Sequence, residues 1–440
     1  MKMDYPRGSE WRKWDLHIHS PYTFMNSYSC SNEEFVNKLK AEQIEVIGLT
    51  NYFKFYPKEF ELIELLKKEN INVFLNLEIR LDYLNKEDDC LDMHIVFDPL
   101  VDEKTINKLL HNLTTNVKGT NKKCIDLETQ EDFKFAVINF DHLLDVLNDD
   151  SLNIKDRYLI GFLSRGKGNS RSSSIYEKIA TKSHFLIHST DNSKNLIEDR
   201  KFWLEHNKAL VQSSDAHNLS QIGSKFTWIK ADPTFEGLKQ ILYEPEDRVK
   251  IQESNPNENF PKQVFSEIKI HETKIFEDGN VKFKQQNIPL NADLVTIIGG
   301  RGAGKSLLLD CISKAFNKNN KRAENISIQN NEFIVEFSKF DGTKAEYKIQ
   351  EDNELDYLHI HQGYVKEIVN PQEANKLDLE IKKLLNIKEI DFSKDESEII
   401  QLIDEIFEIK NFLLKEDEEG NRINTKQYIQ KQIEKKTTTY

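Results

Sequence analysis

The sequence predicts an α/β protein of more than one domain, and three observations carry that reading. From Trp14 to about residue 250, short apolar runs alternate with amphipathic stretches. A polar stretch with two prolines, QESNPNENFPKQ, then breaks the pattern. Beyond it, a glycine-rich loop stands between an apolar run and a helix-like segment. A chain of 440 residues is long enough for two or three domains, each with its own core.

In the first part, WDLHIHS reads as a strand, followed by the runs EVIGLT, INVFLNLEI, MHIVFD, FAVINF, YLIGFLS, HFLIHS and ALVQSSD, all of strand length. EEFVNKLKAEQ and PKEFELIELLKKEN carry helical spacing between them. Repeated strand and helix predicts a layered or barrel α/β domain over residues 1–250, with polar residues at strand ends where a site belongs. Residues 251–264 read as a linker. The second domain, 265–375, starts with SEIKIHET and VKFKQQ and runs through NADLVTIIGG into the glycine-rich loop. The helix SLLLDCISKAF, the hairpin EFIVEFSKFDGTKAEYKI and the strand LDYLHIHQ follow. Residues 376–440 read as helical, with Leu402, Ile406, Ile409 and Leu413 on one face at spacings of four, three and four. That spacing fits the start of a coiled-coil arm or a single amphipathic helix.

Composition narrows the classes. No run approaches the roughly 18 apolar residues of a spanning helix, so no membrane segment is expected. The N-terminal MKMDYPRGSEW lacks an apolar core and a small-residue cleavage site, so a cytoplasmic protein is expected. Cys30, Cys90, Cys124 and Cys311 form no CxxC pair, which argues for reduced structural thiols. A net charge of −13 repels nucleic acid overall, so any such contact would come from a local basic patch or a metal-filled cleft.

GGRGAGKS fits GxxxxGK[ST], follows the β-rich run DLVTII and precedes a helix. The backbone of Gly299, Gly300, Arg301, Gly302, Ala303 and Gly304, continuing into Lys305, Ser306 and Leu307, is expected to cradle the phosphates of ATP or GTP. Lys305 would reach the outer phosphates and the Ser306 hydroxyl would meet Mg²⁺. Gln362, after DYLHIH, would contact Mg²⁺ or a water, or is a solvated loop residue. Asp404 and Glu405 lie in IIQLIDEIFEI, whose apolar residues recur at helical spacing, so they are not a Walker B strand end. No LSGGQ-like segment is present.

A second cluster joins histidines to carboxylates. His17 and His19 alternate along a strand and so share a face, as two metal ligands at a strand end would. Asp215 and His217 repeat the arrangement after ALVQ, Glu78 ends INVFLNLE, and His94 starts HIVFD. Imidazole mixed with carboxylate suits Zn²⁺, Mn²⁺ or Fe²⁺. Such residues are equally the hydrogen-bonded polar groups that end many strands.

HxH near the N-terminus and DxH in SSDAH resemble the hallmark motifs of the PHP domain, the polymerase and histidinol phosphatase superfamily, over residues 14–250. SSDAH followed by FTWIKADPTFEGLKQILYEPEDRV resembles the TrlF-type proteins, in which a PHP domain is fused to an AAA-like ATPase of the SMC or ABC kind. The resemblance implies a distorted seven-stranded β/α barrel with up to three metals for phosphoester hydrolysis, then a partial P-loop lobe with a helical arm. It implies His17, His19, Glu78, His94, Asp215 and His217 as ligands, with His17, His19, Asp215 and His217 also catalytic. Asn51 and Tyr52 depart from the family's DH pair, and Asn139 stands where another histidine is expected.

The reading that follows is a metal-dependent phosphoesterase or nuclease coupled to an SMC-like nucleotide-binding head, acting on nucleic acid in DNA maintenance or antiphage defence. ATP hydrolysis would need a missing lobe, supplied by a partner or by a longer chain. Homo-oligomers through the head or arm are expected. The alternatives are a nucleotide-switched scaffold with a degenerate barrel and, last, a small-molecule phosphatase. The basic loop SRGKGNSRSSS, with Arg165, Lys167 and Arg171, would hold nucleic-acid phosphates or is simply solvated.

Overall fold

The structure, a computed structural model, describes residues 7–25, 27–84, 89–165, 181–188, 193–258, 262–277, 281–316, 324–329, 331–349, 357, 359, 393–417 and 422–437. Two compact units are present, one of Met1–Cys311 with Glu324–Glu351 and one of Ile312–Ala323 with Asp352–Tyr440.

Among the described residues up to 250, twelve strands occur: β1 Glu10–His19, β2 Val46–Tyr52, β3 Asn72–Leu84, β4 Cys90–Phe97, β5 Thr114–Val117, β6 Thr120–Lys123, β7 Ala136–Val137, β8 Tyr158–Leu163, β9 Phe185–His188, β10 Ala209–Gln212, β11 Thr227–Ala231 and β12 Val249–Lys250. Nine form one sheet in the order β10-β9-β8-β4-β3-β2-β1-β11-β12, two more strands than the resemblance implies. The added pair is β11 and β12, antiparallel at one end. Beyond β10 the chain returns to β1: the Asp215 N–H donates to the His17 carbonyl and the His19 N–H to the Ala216 carbonyl, each at 2.9 Å. This contact closes the sheet toward a barrel.

Alternation along each strand sorts the side chains. Trp14, Val46, Phe74, Val96, Leu159, Phe185, Val211 and Ile229 form one apolar cluster drawn from nearly every strand, which fills the barrel. The opposite faces pack against the helices, among them α1 Asn32–Ala41 and α2 Pro57–Lys68. A capping box of Ser31 and Glu34 starts α1. Along β3, the inward face changes from Phe74 to Asn76, Glu78 and Arg80, so polarity rises toward the end of the strand.

One irregularity positions the first motif. Between Asp15 and Ile18 the β1–β2 register shifts, with one extra residue on β1. Such a bulge re-aims the side chains that follow it. Only glycine fits opposite: a Cβ at Gly48 would lie 2.0 Å from the Leu16 carbonyl oxygen. That carbonyl accepts from Asn76 Nδ2 at 2.9 Å.

Several expectations change. FAVINF contributes only the two residues of β7, which pairs with β5 outside the barrel sheet. DLVTII forms no strand; no neighbour pairs with it among the described residues, and Leu294 and Ile298 are 78% and 86% exposed. An apolar run becomes a strand only where a partner strand satisfies its backbone. The hairpin is present as Phe333–Ser338 paired with Lys344–Lys348, beside Val264–Ile270 and Gln286–Pro289 in an antiparallel sheet. The strand expected at LDYLHIHQ, with Gln362, lies outside the described residues apart from Tyr357 and His359.

In the second unit, Ser393–Leu414 forms a helix that includes Asp404 and Glu405, and Leu402, Ile406, Ile409 and Leu413 are exposed on it. The four cysteines are free thiols. No helix among the described residues is long and apolar enough to cross a membrane.

Candidate metal centre

β1, β2 and β3 run parallel, and β4 runs antiparallel between β3 and β8. The end of β1, the middle of β3, the middle of β4 and the turn after β10 therefore meet at one rim; Glu78 does not end its strand, because pairing with β4 carries β3 on to Leu84. Four donor atoms converge there. His17 Nε2 lies 3.1 Å from His19 Nε2, 3.2 Å from Glu78 Oε2 and 3.1 Å from Asp215 Oδ1. His19 Nε2 lies 3.3 Å from Glu78 Oε2 and 3.1 Å from Asp215 Oδ1.

These spacings and donor types fit a divalent metal. Ligand bonds of about 2.0–2.1 Å in a tetrahedron put neighbouring donors about 3.3–3.4 Å apart, close to every distance above. Two imidazoles and two carboxylates also present more lone pairs than protons in a buried place, a condition that a cation relieves. Three of the four side chains are buried, and Asp215 stands on the open side, 59% exposed. Asp215 holds a left-handed φ of 52°, and Phe53, next to Tyr52, a φ of 58°. For a bulky residue such as phenylalanine this is a strained conformation, of the kind that clusters at functional sites.

With a proton in place of a metal, the cluster polarises strongly. Burial opposes charge on His17, but the carboxylates of Asp215 and Glu78 outweigh it and raise the imidazole to about 9. Burial likewise opposes ionised Asp215 and Glu78. The His17 charge and histidine hydrogen bonds prevail, holding Asp215 at about 2 and Glu78 well below the usual range. His94, buried and beside the His17 charge, is pushed down to about 3.

The other expected ligands are placed differently. His94 packs edge-on against His17, ring centroids 4.3 Å apart, but its nitrogens belong to neither cluster of three or more donors at this rim. Its Nδ1 faces Asn76 Nδ2 at 3.1 Å, and its buried Nε2 has no hydrogen-bond partner. His217 forms a second triad with His19 and Asp215. Asn51 points away from the rim, its Nδ2 donating to both oxygens of buried Glu59 at 3.0 and 3.1 Å. Tyr52, one residue on and so on the opposite face, enters the site. Its ring stacks on His19 and its hydroxyl lies 3.2 Å from His217 Nε2. Asn139 caps a helix, accepting from the His142 N–H at 3.0 Å, and bonds Asp82.

Arg80 and Asn76 were not singled out by the sequence, although both lie two residues from Glu78 and therefore share its face. Arg80 pairs across the ladder with Asp92, two rungs beyond the Glu78–His94 pair and about 7 Å further along the strands. Its Nη1 donates to the carbonyls of Phe133 and Lys134, and its Nε lies 3.6 Å from Asp92.

Arg165 corrects the basic-loop expectation. It is 7% exposed, donates to buried Asp199 at 2.8 Å and pairs with Glu198 at 3.0 Å. Ser164 and His188 also bond Asp199, so this arginine belongs to a buried network. Lys167 and Arg171 lie outside the described residues.

At the glycine-rich loop, Gly302 and Gly304 take φ of 82° and 86°, and the helix Lys305–Ala315 follows. Lys305 Nζ donates to the carbonyls of Gly299 and Gly300 at 2.8 Å each. Positive φ at two glycines is what an inward-turned loop requires.

No family model and no curated protein matches the chain. Among solved structures, a lesion-specific endonuclease from Pyrococcus furiosus is similar over 72% of this chain and 81% of its own, at 15% identity and a TM-score of 0.38. A protein from Bifidobacterium adolescentis assigned as a metal-dependent phosphoesterase is similar over 48% of this chain and 89% of its own, at 13% identity and a TM-score of 0.30. An amidohydrolase from Chromobacterium violaceum is similar over 47% of this chain and 87% of its own, at 14% identity and a TM-score of 0.28.

Proposed function

We propose that the chain is a metal-dependent phosphoesterase whose centre is the barrel rim. The observation that carries this is the convergence on His17 and His19, whose Nε2 atoms lie 3.1 Å from each other and from Asp215 Oδ1, and 3.2 and 3.3 Å from Glu78 Oε2. A divalent ion held by these four would supply Lewis-acid polarisation of a phosphoryl oxygen and a more acidic water. The chain's own groups do the rest. Arg80 stands two rungs outward as a fixed cation for the substrate's phosphate, a role guanidinium geometry suits. Tyr52 stacks its ring on His19 and so fixes the orientation of that imidazole beside the donors.

Nucleic acid is the substrate class this reading puts first, as the TrlF resemblance implies. Residues 299–307 would hold the phosphates of ATP with Mg²⁺ on Ser306, and ATP turnover would depend on a further lobe. The domain division at 251–264 and self-association through the exposed apolar face of Ser393–Leu414 belong to the same proposal. One observation favours the nucleotide-switched scaffold instead: Tyr52 occupies His217, a hallmark histidine.

The test is cleavage of labelled single- and double-stranded oligonucleotides in Mn²⁺, with and without ATP. His17→Ala combined with His19→Ala should abolish cleavage, while Lys305→Ala should change only its response to ATP. Cleavage that survives the double histidine change would remove the rim from the chemistry, and no cleavage by the wild type would leave the scaffold reading.

A further inference from the structure

Six side chains at the rim have the chemistry of metal ligands, yet hydrogen bonds divide them into four and two. His217 Nδ1 lies 2.9 Å from the Asp215 backbone carbonyl. A carbonyl only accepts, so Nδ1 carries the ring proton and Nε2 is a bare lone pair. This is the tautomer that binds metal through Nε2. Tyr52 Oη lies 3.2 Å from that nitrogen, and with no proton on Nε2 it is the phenol that donates. The lone pair a second ion would use is therefore engaged.

His94 is held off by a different partner. Asn76 Nδ2 serves the Leu16 carbonyl at 2.9 Å, which fixes the amide orientation, because the opposite one would set oxygen against oxygen. The same Nδ2 lies 3.0 Å from Thr50 Oγ1, whose own proton goes to the Gly48 carbonyl, and 3.1 Å from His94 Nδ1, so one amide is shared among three acceptors and His94 turns its Nδ1 to Asn76 rather than to the rim.

Asn51 adds no further donor, since its amide is committed to Glu59.

We propose that the rim binds a single divalent ion, at His17, His19, Glu78 and Asp215, and that Tyr52 keeps a second ion off His217. This rests on the metal-dependent reading above and adds the count and the residue that sets it.

The experiment is metal content of the full chain after loading with Mn²⁺ or Zn²⁺ and desalting, read by plasma mass spectrometry, with calorimetric titration of the metal-free protein. Wild type should hold about one equivalent. Tyr52→Phe, which keeps the ring on His19 and removes only the hydroxyl, should rise toward about two, and so should Tyr52→His. Wild type holding two or three overturns the proposal, whatever the variants do. So does Tyr52→Phe that stays folded at one, or one that loses an ion, which would make Tyr52 a ligand. A wild type that binds none removes the metal-dependent reading itself, so the two failures are distinct.

Discussion

The barrel rim and the glycine-rich loop both carry short motifs, yet their surroundings differ. At the rim, His17, His19 and Glu78 are buried and each is braced by the others, with β2 and its Gly48 holding β1 in place. At the loop, the preceding run is exposed and unpaired among the described residues, and Lys305 rests on its own loop's carbonyls. A motif specifies which atoms can do chemistry. The pairing of strands around it decides whether those atoms are held in place before a ligand arrives.

Four substitutions break or sharpen that contrast. The largest effect is expected from Gly48→Ala. A methyl group 2.0 Å from a backbone oxygen forces β1 and β2 apart, so thermal unfolding should show a loss of about 3 kcal/mol together with lost metal binding. Next is His17→Ala, which removes one of four converging donors. Phosphodiesterase activity in Mn²⁺ should fall on the order of 100-fold or more, with helix content by circular dichroism unchanged.

Third comes Glu59, which tests whether the face behind the rim is as tightly built as the rim. Burial raises its carboxyl to about 7, above the ordinary 4.5, against hydrogen bonds from Tyr56, Ser20 and Asn51 that favour the ionised form. The folded state therefore holds a proton that the unfolded state releases near pH 4.5. Its contribution is complete below that pH and is lost as pH rises toward about 7. Stability measured from pH 4.5 to 7.5 should decline on this account, and Glu59→Gln should flatten the decline by on the order of 2 kcal/mol. The smallest structural effect belongs to Lys305→Ala. It should shift stability by no more than about 0.5 kcal/mol and leave rim metal unchanged, while calorimetry shows nucleotide affinity lost.

Much of the barrel was legible because alternation is a local property. Runs such as INVFLNLEI and ALVQ became strands, and the HxH and DxH spacings put their side chains on one rim. What could not be read depends on partners distant in sequence. DLVTII has strand composition but no paired neighbour among the described residues. Arg165 looked available until Asp199, 34 residues later, was found against it. Asn51 and Tyr52 looked like a single departure from a family pattern. The pleat separates them, sending Asn51 to Glu59 and Tyr52 into the site.

The central claim, that the four converging donors form a metal-dependent hydrolytic centre, is tested most directly by hydrolysis of a chromogenic phosphodiester by metal-free protein as Mn²⁺ is added. The account predicts activity that appears with metal, saturates, and is absent in Glu78→Gln under the same conditions. Activity that is independent of metal, or equal in Glu78→Gln, would contradict it.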